Sequence, residues 1–221
     1  MKTTRLLAFS VMVLSIMIFA CKSKTSEPAG TTEKQSVTAK LTPKGKYTLK
    51  SGIVEYKNQM MGMDSKQILT FDDYGNKELT EVMMEMMGTK IHTLAITKDG
   101  FVYNIDLVKK TGTKRPVLTA KVPTDIDFEN MTKEMIKDMN VKKEGTEKFL
   151  GRTCEKITID SKKMGLKGTY LTYKGIALSV NTDMGTVKMK LVAEKFIENP
   201  TIPAAKFEVP EDIVITEEAE F

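Results

Sequence analysis

The chain has 221 residues, of which 41% are hydrophobic and 29% are charged, and its formal net charge is +5. Its lysines are scattered among the predicted strands, without an arginine-rich run or a basic stripe interleaved with aromatic residues, which argues against a nucleic-acid-binding protein. A single histidine and the lack of GxSxG, HExxH, phosphate-loop or dinucleotide-binding motifs argue against an enzyme. We therefore expect neither catalysis nor a cofactor.

The first 20 residues have the pattern of a secretory signal peptide. Lys2 and Arg5 give a short basic start, and residues 6–20 form an apolar run interrupted only by two serines. This run of about 15 residues is shorter than the roughly 20 residues that span a bilayer as a helix. Its end, IFAC, resembles a bacterial lipobox, in which the cysteine is lipidated and becomes the first mature residue. We therefore predict a signal peptide over residues 1–20, lipidation of Cys21 and attachment to a membrane through that lipid.

Residues 21–46 are predicted to be the lipidated cysteine and a flexible tether. The stretch after Cys21, KSKTSEPAGTTEKQSVTAKLTPKGK, has too few large apolar residues to fold alone. No Asp follows Cys21, which by resemblance to the known lipoprotein sorting rule favours the outer membrane. The sequence thus predicts an outer-membrane lipoprotein of the cell envelope. Its single domain, residues 47–221, is expected in the periplasm or at the cell surface.

Alternating apolar and polar residues predict a mostly β domain. In FVYNIDLV, Phe101, Tyr103 and Ile105 share one face of a strand, with polar residues on the other. Similar alternation predicts strands over residues 47–56, 66–71, 91–97, 153–159, 168–173, 176–180 and 187–197. Turn signals separate them at residues 72–76, 98–100, 110–114, 174–175 and 182–185. Because short turns join antiparallel neighbours, we expect about nine strands in a meander. Cys154 is expected to be a buried strand residue without a disulfide partner.

The segment PTDIDFENMTKEMIKDMNVKKEG breaks the strand pattern. Met131, Met135 and Met139 recur at a spacing of four residues, which places them on one face of a helix. Asp125 or Asp127 is predicted to cap its start. A helix with such a stripe needs an apolar surface to lie against. The simplest architecture is therefore a twisted antiparallel sheet curled over the helix.

Three stretches of the C-terminal half resemble the LolA/LolB-like superfamily, in particular its small uncharacterised bacterial lipoproteins. They are FLGRTCEKITID from Phe149, YKGIALSV from Tyr173 and NPTIPAAKFEVPEDIVI from Asn199. The resemblance implies an α+β, mainly β fold: a strongly curved antiparallel sheet, or half-open barrel, covered on its concave face by one or few helices. Related proteins use this container for acyl chains. Unlike a typical carrier, this chain is expected to enter the domain at Tyr47 as a strand.

The methionines form two clusters, MMGM at residues 60–63 and MMEMM at residues 83–87. They are consistent with adaptable core packing, or with the lining of an apolar cavity that adjusts to its ligand. A third interpretation is a Cu(I) site, because thioethers select that soft ion. Its candidate ligands are Met60, Met61, Met63, Met83, Met84, Met86, Met87 and His92. The two clusters would have to converge, since neighbouring residues of a strand point to opposite faces.

Two functional hypotheses follow from these patterns. The first is a lipid-anchored binding module that holds an apolar ligand, a lipid or acyl chain, in a concave pocket rich in methionine. Its candidate pocket residues are Phe101, Tyr103, Ile105, Met131, Met135, Met139, Val187, Met189 and Leu191. The second is a structural or interaction lipoprotein with a filled core. The sequence indicates no particular protein partner.

Overall fold

The computed structural model describes residues 45–117 and 126–218. About 60% of the described residues lie in strands. The strands are β1 (Gly52–Met60), β2 (Met63–Asp72), β3 (Lys77–Met86), β4 (Thr89–Lys98), β5 (Phe101–Asp106), β6 (Thr111–Pro116), β7 (Lys142–Phe149), β8 (Arg152–Ser161), β9 (Leu166–Tyr173), β10 (Ile176–Asp183), β11 (Lys188–Glu198) and β12 (Val214–Glu217). The described residues also form one α-helix, α1 (Lys133–Asp138), and two 3-10 turns, Asp73–Gly75 and Ala204–Phe207. None of these helices is long and apolar enough to cross a membrane.

Two antiparallel meanders make up a single open, curled sheet. Strands β1 to β6 follow one another, as do β7 to β11, and the pairing of β1 with β11 joins the two halves in the order β12-β6-β5-β4-β3-β2-β1-β11-β10-β9-β8-β7. The prediction of a mainly β, antiparallel sheet is confirmed, except that β12 pairs in parallel with β6. The half-open barrel and the helix cover of its concave face stay predictions.

The structure corrects several predicted strands. Residues 110–114, predicted as a turn, mostly belong to β6, because pairing with β5 and β12 outweighs the local turn preference. The strand predicted from Tyr47 begins only at Gly52, since the Tyr47 N–H donates to the carbonyl oxygen of Tyr74 (2.8 Å) rather than to a neighbouring strand. β3, β7 and β12 lie where no strand was predicted. In β7, Lys and Glu dominate an edge strand, so its sequence lacks apolar alternation.

Helix α1 is shorter than the predicted helix. It has six residues, and its N-cap is Thr132, whose hydroxyl accepts a hydrogen bond from the N–H of Met135 (3.2 Å). The predicted cap Asp127 instead accepts hydrogen bonds from two N–H groups of its own turn, at 3.2 and 3.0 Å. The other predicted cap, Asp125, lies outside the described residues. Met139 forms the C-cap, so the methionine stripe extends beyond the helix at both ends.

The first hydrophobic cluster lies on one face of β1, β2 and β8 to β11. Strand alternation places Phe71 and Tyr170 on this face. Residues 126–141 pack against it, with the ring centroids of Phe128 and Tyr170 5.2 Å apart and Met139 buried in the cluster. We call this side of the whole sheet the α1 face.

The second hydrophobic cluster lies on the opposite face of the other half of the sheet. Its buried members are Leu79, Ile96, Ile105 and Phe207. The register from β2 through β5 places the first three on the face away from Phe71. Phe207 belongs to the segment 199–213, which leads from β11 to β12 across this side of the sheet. We call this side the tail face. The two halves of the sheet are thus covered on opposite faces, which the sequence analysis did not predict.

Candidate functional site

A groove of about 670 Å³ lies on the α1 face of β3 to β6 and β12. Within the described ranges, neither residues 126–141 nor residues 199–213 contribute a lining residue to it. Its lining side chains on the α1 face are Thr80, Val82, Thr93, Ala95, Asn104, Asp106, Thr111, Thr113, Val214 and Thr216. The groove thus lies on the same face of the sheet as the first hydrophobic cluster, but in the other half, where neither segment covers it.

The groove is lined mostly by methyl groups and hydroxyls. Threonine, valine and alanine supply most of its side chains, and the β-branched threonine and valine fit a pleated surface well. The two charged lining residues, Asp106 and Lys109, bond to each other (Oδ2 to Nζ, 2.8 Å). The hydrogen bond from the Lys109 side chain lowers the pKa of Asp106. The surface therefore suits an apolar or weakly polar ligand.

Several methionines continue the α1 face beyond the groove. Met84 lies opposite Ile91 in the row next to Val82 and Thr93. Two strands away, Met60 lies directly opposite both Met63 in β2 and Met189 in β11. Directly opposed residues on one face have Cβ atoms about 4.5–5.5 Å apart, so these three thioethers can meet above the sheet. We call Met60, Met63 and Met189 the methionine row.

Of the other candidate copper ligands, Met84 and Met86 lie on the α1 face of β3, two strands away from Met60, and the remaining four lie elsewhere. Met61 and Met87 lie at hairpin tips. Met83 and His92 oppose each other on the tail face, where Nε2 of His92 lies 2.6 Å from a carboxylate oxygen of Glu81. The eight residues proposed from the sequence therefore do not converge as one ligand set. Met189, which completes the row, is absent from that set because only the pairing of β1 with β11 brings it there.

The nine candidate pocket residues divide between the two faces. Phe101, Tyr103 and Ile105 lie on the tail face, where Ile105 and Tyr103 pack in the second cluster. On the α1 face, the first cluster contains Met131, Met139, Met189 and Leu191, and Met135 is half-buried in α1. Val187 precedes β11, which begins at Lys188, and lies in the turn after β10. Their ligand-binding role stays a prediction, and residues from the two faces cannot line one cavity.

Sequence reasoning missed the groove because its residues are individually ordinary. One pattern could have located it. In β4, the strongly apolar Leu94 and Ile96 alternate with Thr93 and Ala95, so one side of the strand is apolar and the other carries small, weakly polar residues. A second depression, of about 560 Å³, is lined by Lys, Glu, Asp, Asn and Thr side chains of β7 to β11. Its mixed charges make it a polar surface. There, the Thr158 hydroxyl donates to Glu144 (3.1 Å).

Two buried titratable groups lie outside the groove. The Cys154 thiol is fully buried in the first cluster, as predicted for a strand cysteine, and burial raises its pKa. The buried Glu78 carboxylate accepts a hydrogen bond from the Tyr47 hydroxyl and lies 3.2 Å from Nζ of Lys46. Burial, and secondarily the charge of Glu78, raise the pKa of Tyr47. Through these contacts, Lys46 and Tyr47 bind to Glu78 of β3. Within the described ranges, no three His, Cys, Asp or Glu side chains form a metal-binding group.

Comparison with known proteins supports the fold alone. No family model matches the chain, and no curated protein matches it. An uncharacterised conserved protein from Thermus thermophilus is similar in structure with a TM-score of 0.52 and 11% identity, over 77% of this chain and 92% of that chain. A chain of the MucA/MucB complex of Pseudomonas aeruginosa has a TM-score of 0.47 and 8% identity, over 73% of this chain and 56% of that one. LprF from Mycobacterium bovis has a TM-score of 0.35 and 12% identity, over 69% and 89%. The fold shared with the Thermus protein indicates neither ligand nor activity, and the other two similarities carry no argument.

Proposed function

We propose that this chain is a lipid-anchored, LolA/LolB-like module of the cell envelope that binds an apolar ligand, a lipid or acyl chain, in the groove on the α1 face. The observation that carries the proposal is an open groove of about 670 Å³ lined mostly by Thr, Val and Ala side chains. That volume is within the range of about 300–1,000 Å³ typical of small-molecule sites. The anchor would be Cys21, outside the described residues, at the outer membrane.

The distribution of polar groups supports an apolar ligand. The charged lining residues Asp106 and Lys109 neutralise each other at one edge, where Asp106 also accepts hydrogen bonds from two backbone N–H groups, both at 3.0 Å. A ligand on the floor of the groove would meet methyl groups without desolvating an isolated charge. The threonine hydroxyls could bond to the polar end of an amphipathic molecule. In this proposal the curled sheet encloses the ligand, and the chain binds without catalysing a reaction.

Filling the groove should weaken ligand binding strongly. Ala95 lies on the groove floor between Thr80 and Asn104, so Ala95→Trp would occupy space that a ligand needs. We expect an anthroyloxy-labelled fatty acid to bind the full-length protein, after extraction of any co-purified lipid, and Ala95→Trp to weaken that binding about tenfold or more.

The matched control is Thr169→Trp, which adds the same indole to the polar depression of β7 to β11 and should leave binding unchanged. Absence of fatty-acid binding by the unmodified protein would contradict the proposal and favour an interaction lipoprotein with a filled core. If Ala95→Trp and Thr169→Trp bound the fatty acid equally well, the ligand site would lie outside the groove.

The methionine row supports a second candidate function, binding of Cu(I). Met60 opposes both Met63 and Met189 in register, which puts three thioethers on the same face of three adjacent strands. Soft thioether sulfur selects Cu(I) over Zn²⁺ or Mg²⁺. Met84 and Met86 lie on the same face of β3 and could supply further sulfur atoms.

Replacing the row should weaken copper binding strongly while leaving the fold intact. We expect the triple variant Met60→Leu, Met63→Leu, Met189→Leu to bind Cu(I) more than about tenfold more weakly in a titration against a chromophoric chelator under reducing conditions. Leucine keeps volume and hydrophobicity, so the unfolding temperature should change little. Met83→Leu, on the tail face, is the control and should have no effect. Unchanged copper affinity in the triple variant would contradict this candidate.

A further inference from the structure

Four neighbouring β-hairpins end at the same end of the sheet, and each carries a methionine followed by a glycine at its tip. They are the β3–β4, β1–β2, β10–β11 and β8–β9 hairpins, which are consecutive in the sheet. The methionines are Met87, Met61, Met184 and Met164, and all four side chains are exposed, Met87 completely and Met61 by 61%. We call these four residues the methionine rim. It is distinct from the methionine row, whose members lie within or at the ends of strands.

Turn geometry does not explain the methionines at positions 61 and 87. Met61 and Gly62 have φ of 52° and 83°, and Met87 and Gly88 have φ of 51° and 77°, as in two-residue type I′ turns. The first position of such a turn favours Asn, Asp or Gly, because other side chains are strained at positive φ. At the opposite end of the sheet, the corresponding turns of β4–β5, β7–β8 and β9–β10 carry Asp99, Leu150 and Lys174. Methionine at a hairpin tip is therefore specific to one end.

The rim is extended rather than focused on a point. Adjacent strands lie about 4.8 Å apart, so neighbouring tips are about 10 Å apart and the four tips follow one another over roughly 30 Å along the curled edge of the sheet. That is too long for the four sulfur atoms to share one metal ion. It fits a broad surface that accepts separate apolar side chains along a line. At one end of the line, exposed Lys162, Lys163 and Lys167 flank Met164 in the sequence. Lys163 pairs with Asp138 (Nζ to Oδ2, 3.3 Å), so the three lysines leave a net positive charge, which favours a surface with negative charge there.

We propose that the methionine rim docks the protein onto the surface of a phospholipid bilayer, with its side chains inserted at the boundary between headgroups and acyl chains and the neighbouring lysines on anionic headgroups. This inference does not depend on a ligand in the groove. It would, however, place Met84 and Ile91, which continue the α1 face from the groove toward the β3–β4 tip, nearer to the membrane than the groove itself.

The predicted anchor permits this orientation. The described chain begins at the end of the sheet opposite the rim, where the Tyr47 N–H donates to the Tyr74 carbonyl in the β2–β3 turn. Cys21 precedes Gly45 by 24 residues, and an extended chain of that length reaches at most about 80 Å. A ten-residue strand is only about 33 Å long. A lipid on Cys21 and the rim can therefore contact the same bilayer.

The decisive experiment compares the environment of the two ends of the sheet on vesicles. Full-length Met87→Cys and Leu150→Cys are labelled with the environment-sensitive dye NBD and mixed with vesicles of phosphatidylcholine containing about one-fifth phosphatidylglycerol. Both positions are the first residue of an X-Gly turn. Cys154 is buried and will not react, and the predicted lipidation of Cys21 blocks labelling there. We expect blue-shifted emission and quenching by nitroxide-labelled lipid at position 87 and water-like emission at position 150.

A second pair of variants tests the methionines without disturbing the turns. Asn tolerates positive φ, so Met61→Asn with Met87→Asn should keep both hairpins and the unfolding temperature. Docking is followed by the emission of an NBD label at Met184→Cys. We expect this double substitution to weaken the affinity for vesicles about tenfold or more. Asp99→Asn with Lys174→Asn makes equivalent changes at the opposite end and should not. Water-like emission at position 87, equal shifts at positions 87 and 150, or docking unaffected by the rim substitutions would each overturn the proposal. If the methionine rim binds Cu(I) or a protein partner instead of a membrane, the label at position 87 should show water-like emission on vesicles, which overturns the proposal.

Discussion

Phe207→Ala is expected to lower the free energy of unfolding by about 3–5 kcal/mol, the usual cost of removing a buried phenylalanine. Only 2% of Phe207 is exposed. It is the residue of segment 199–213 that is buried in the second cluster, together with Leu79, Ile96 and Ile105. Truncation would leave a cavity between this segment and the tail face, and the fixed strands could not collapse to fill it. Urea unfolding followed by circular dichroism measures the change.

The neighbouring Lys206→Ala is the control for this measurement. Lys206 lies in the same 3-10 turn but is exposed, so its removal should change the unfolding free energy by no more than about 0.5 kcal/mol. An effect of Phe207→Ala below about 1 kcal/mol would contradict burial of segment 199–213 on the tail face.

Met139→Asp is expected to destabilise the protein by about 3 kcal/mol or more, because a carboxylate placed in an apolar cluster loses its hydration without gaining a partner. Only 8% of Met139 is exposed, and its carbonyl accepts a hydrogen bond from the N–H of Asp160 (3.1 Å), which ties the end of α1 to β8. The half-buried Met135→Asp should cost less. The measurement is again the midpoint of chemical unfolding.

Ile136→Asp provides the matched control in the same helix. Ile136 is 42% exposed, so a carboxylate there stays hydrated and should cost within about 0.5–1 kcal/mol, including its unfavourable interaction with the helix dipole. If Met139→Asp and Ile136→Asp had equal small effects, residues 126–141 would not be packed on the α1 face.

Local sequence patterns predict much of the secondary structure correctly. The alternation around Phe101 corresponds to β5, and the Lys174–Gly175 dipeptide forms the predicted turn between β9 and β10. The predicted burial of Cys154 in a strand is confirmed. Prediction fails where pairing decides the outcome. Residues 111–116 become a strand only because β5 and β12 flank them, and the polar β7 is a strand because it completes the edge beside β8.

The candidate site was harder to predict than the strands. Ile105 and Leu191 look alike in sequence, each an apolar residue in an alternating strand, but they lie on opposite faces of the sheet in separate clusters. Which face is covered depends on where segments 126–141 and 199–213 cross the sheet. The methionine stripe predicts that the first segment packs on the sheet, but no local signal shows which face or which strands either segment covers. The groove therefore formed from Thr, Val and Ala residues that no motif singles out.

The sequence by itself determined the strands with clear alternation, the glycine-containing turns and the methionine content of the hairpins, because each depends on residues within a few positions of one another. Tertiary structure alone decided which faces of the sheet are covered, which methionines share a row and that four Met-Gly tips line one end. These features depend on the pairing of β1 with β11, which joins residues such as Met60 and Met189. Such distant register is selected by the burial of whole faces, a cooperative property that short stretches of sequence do not encode.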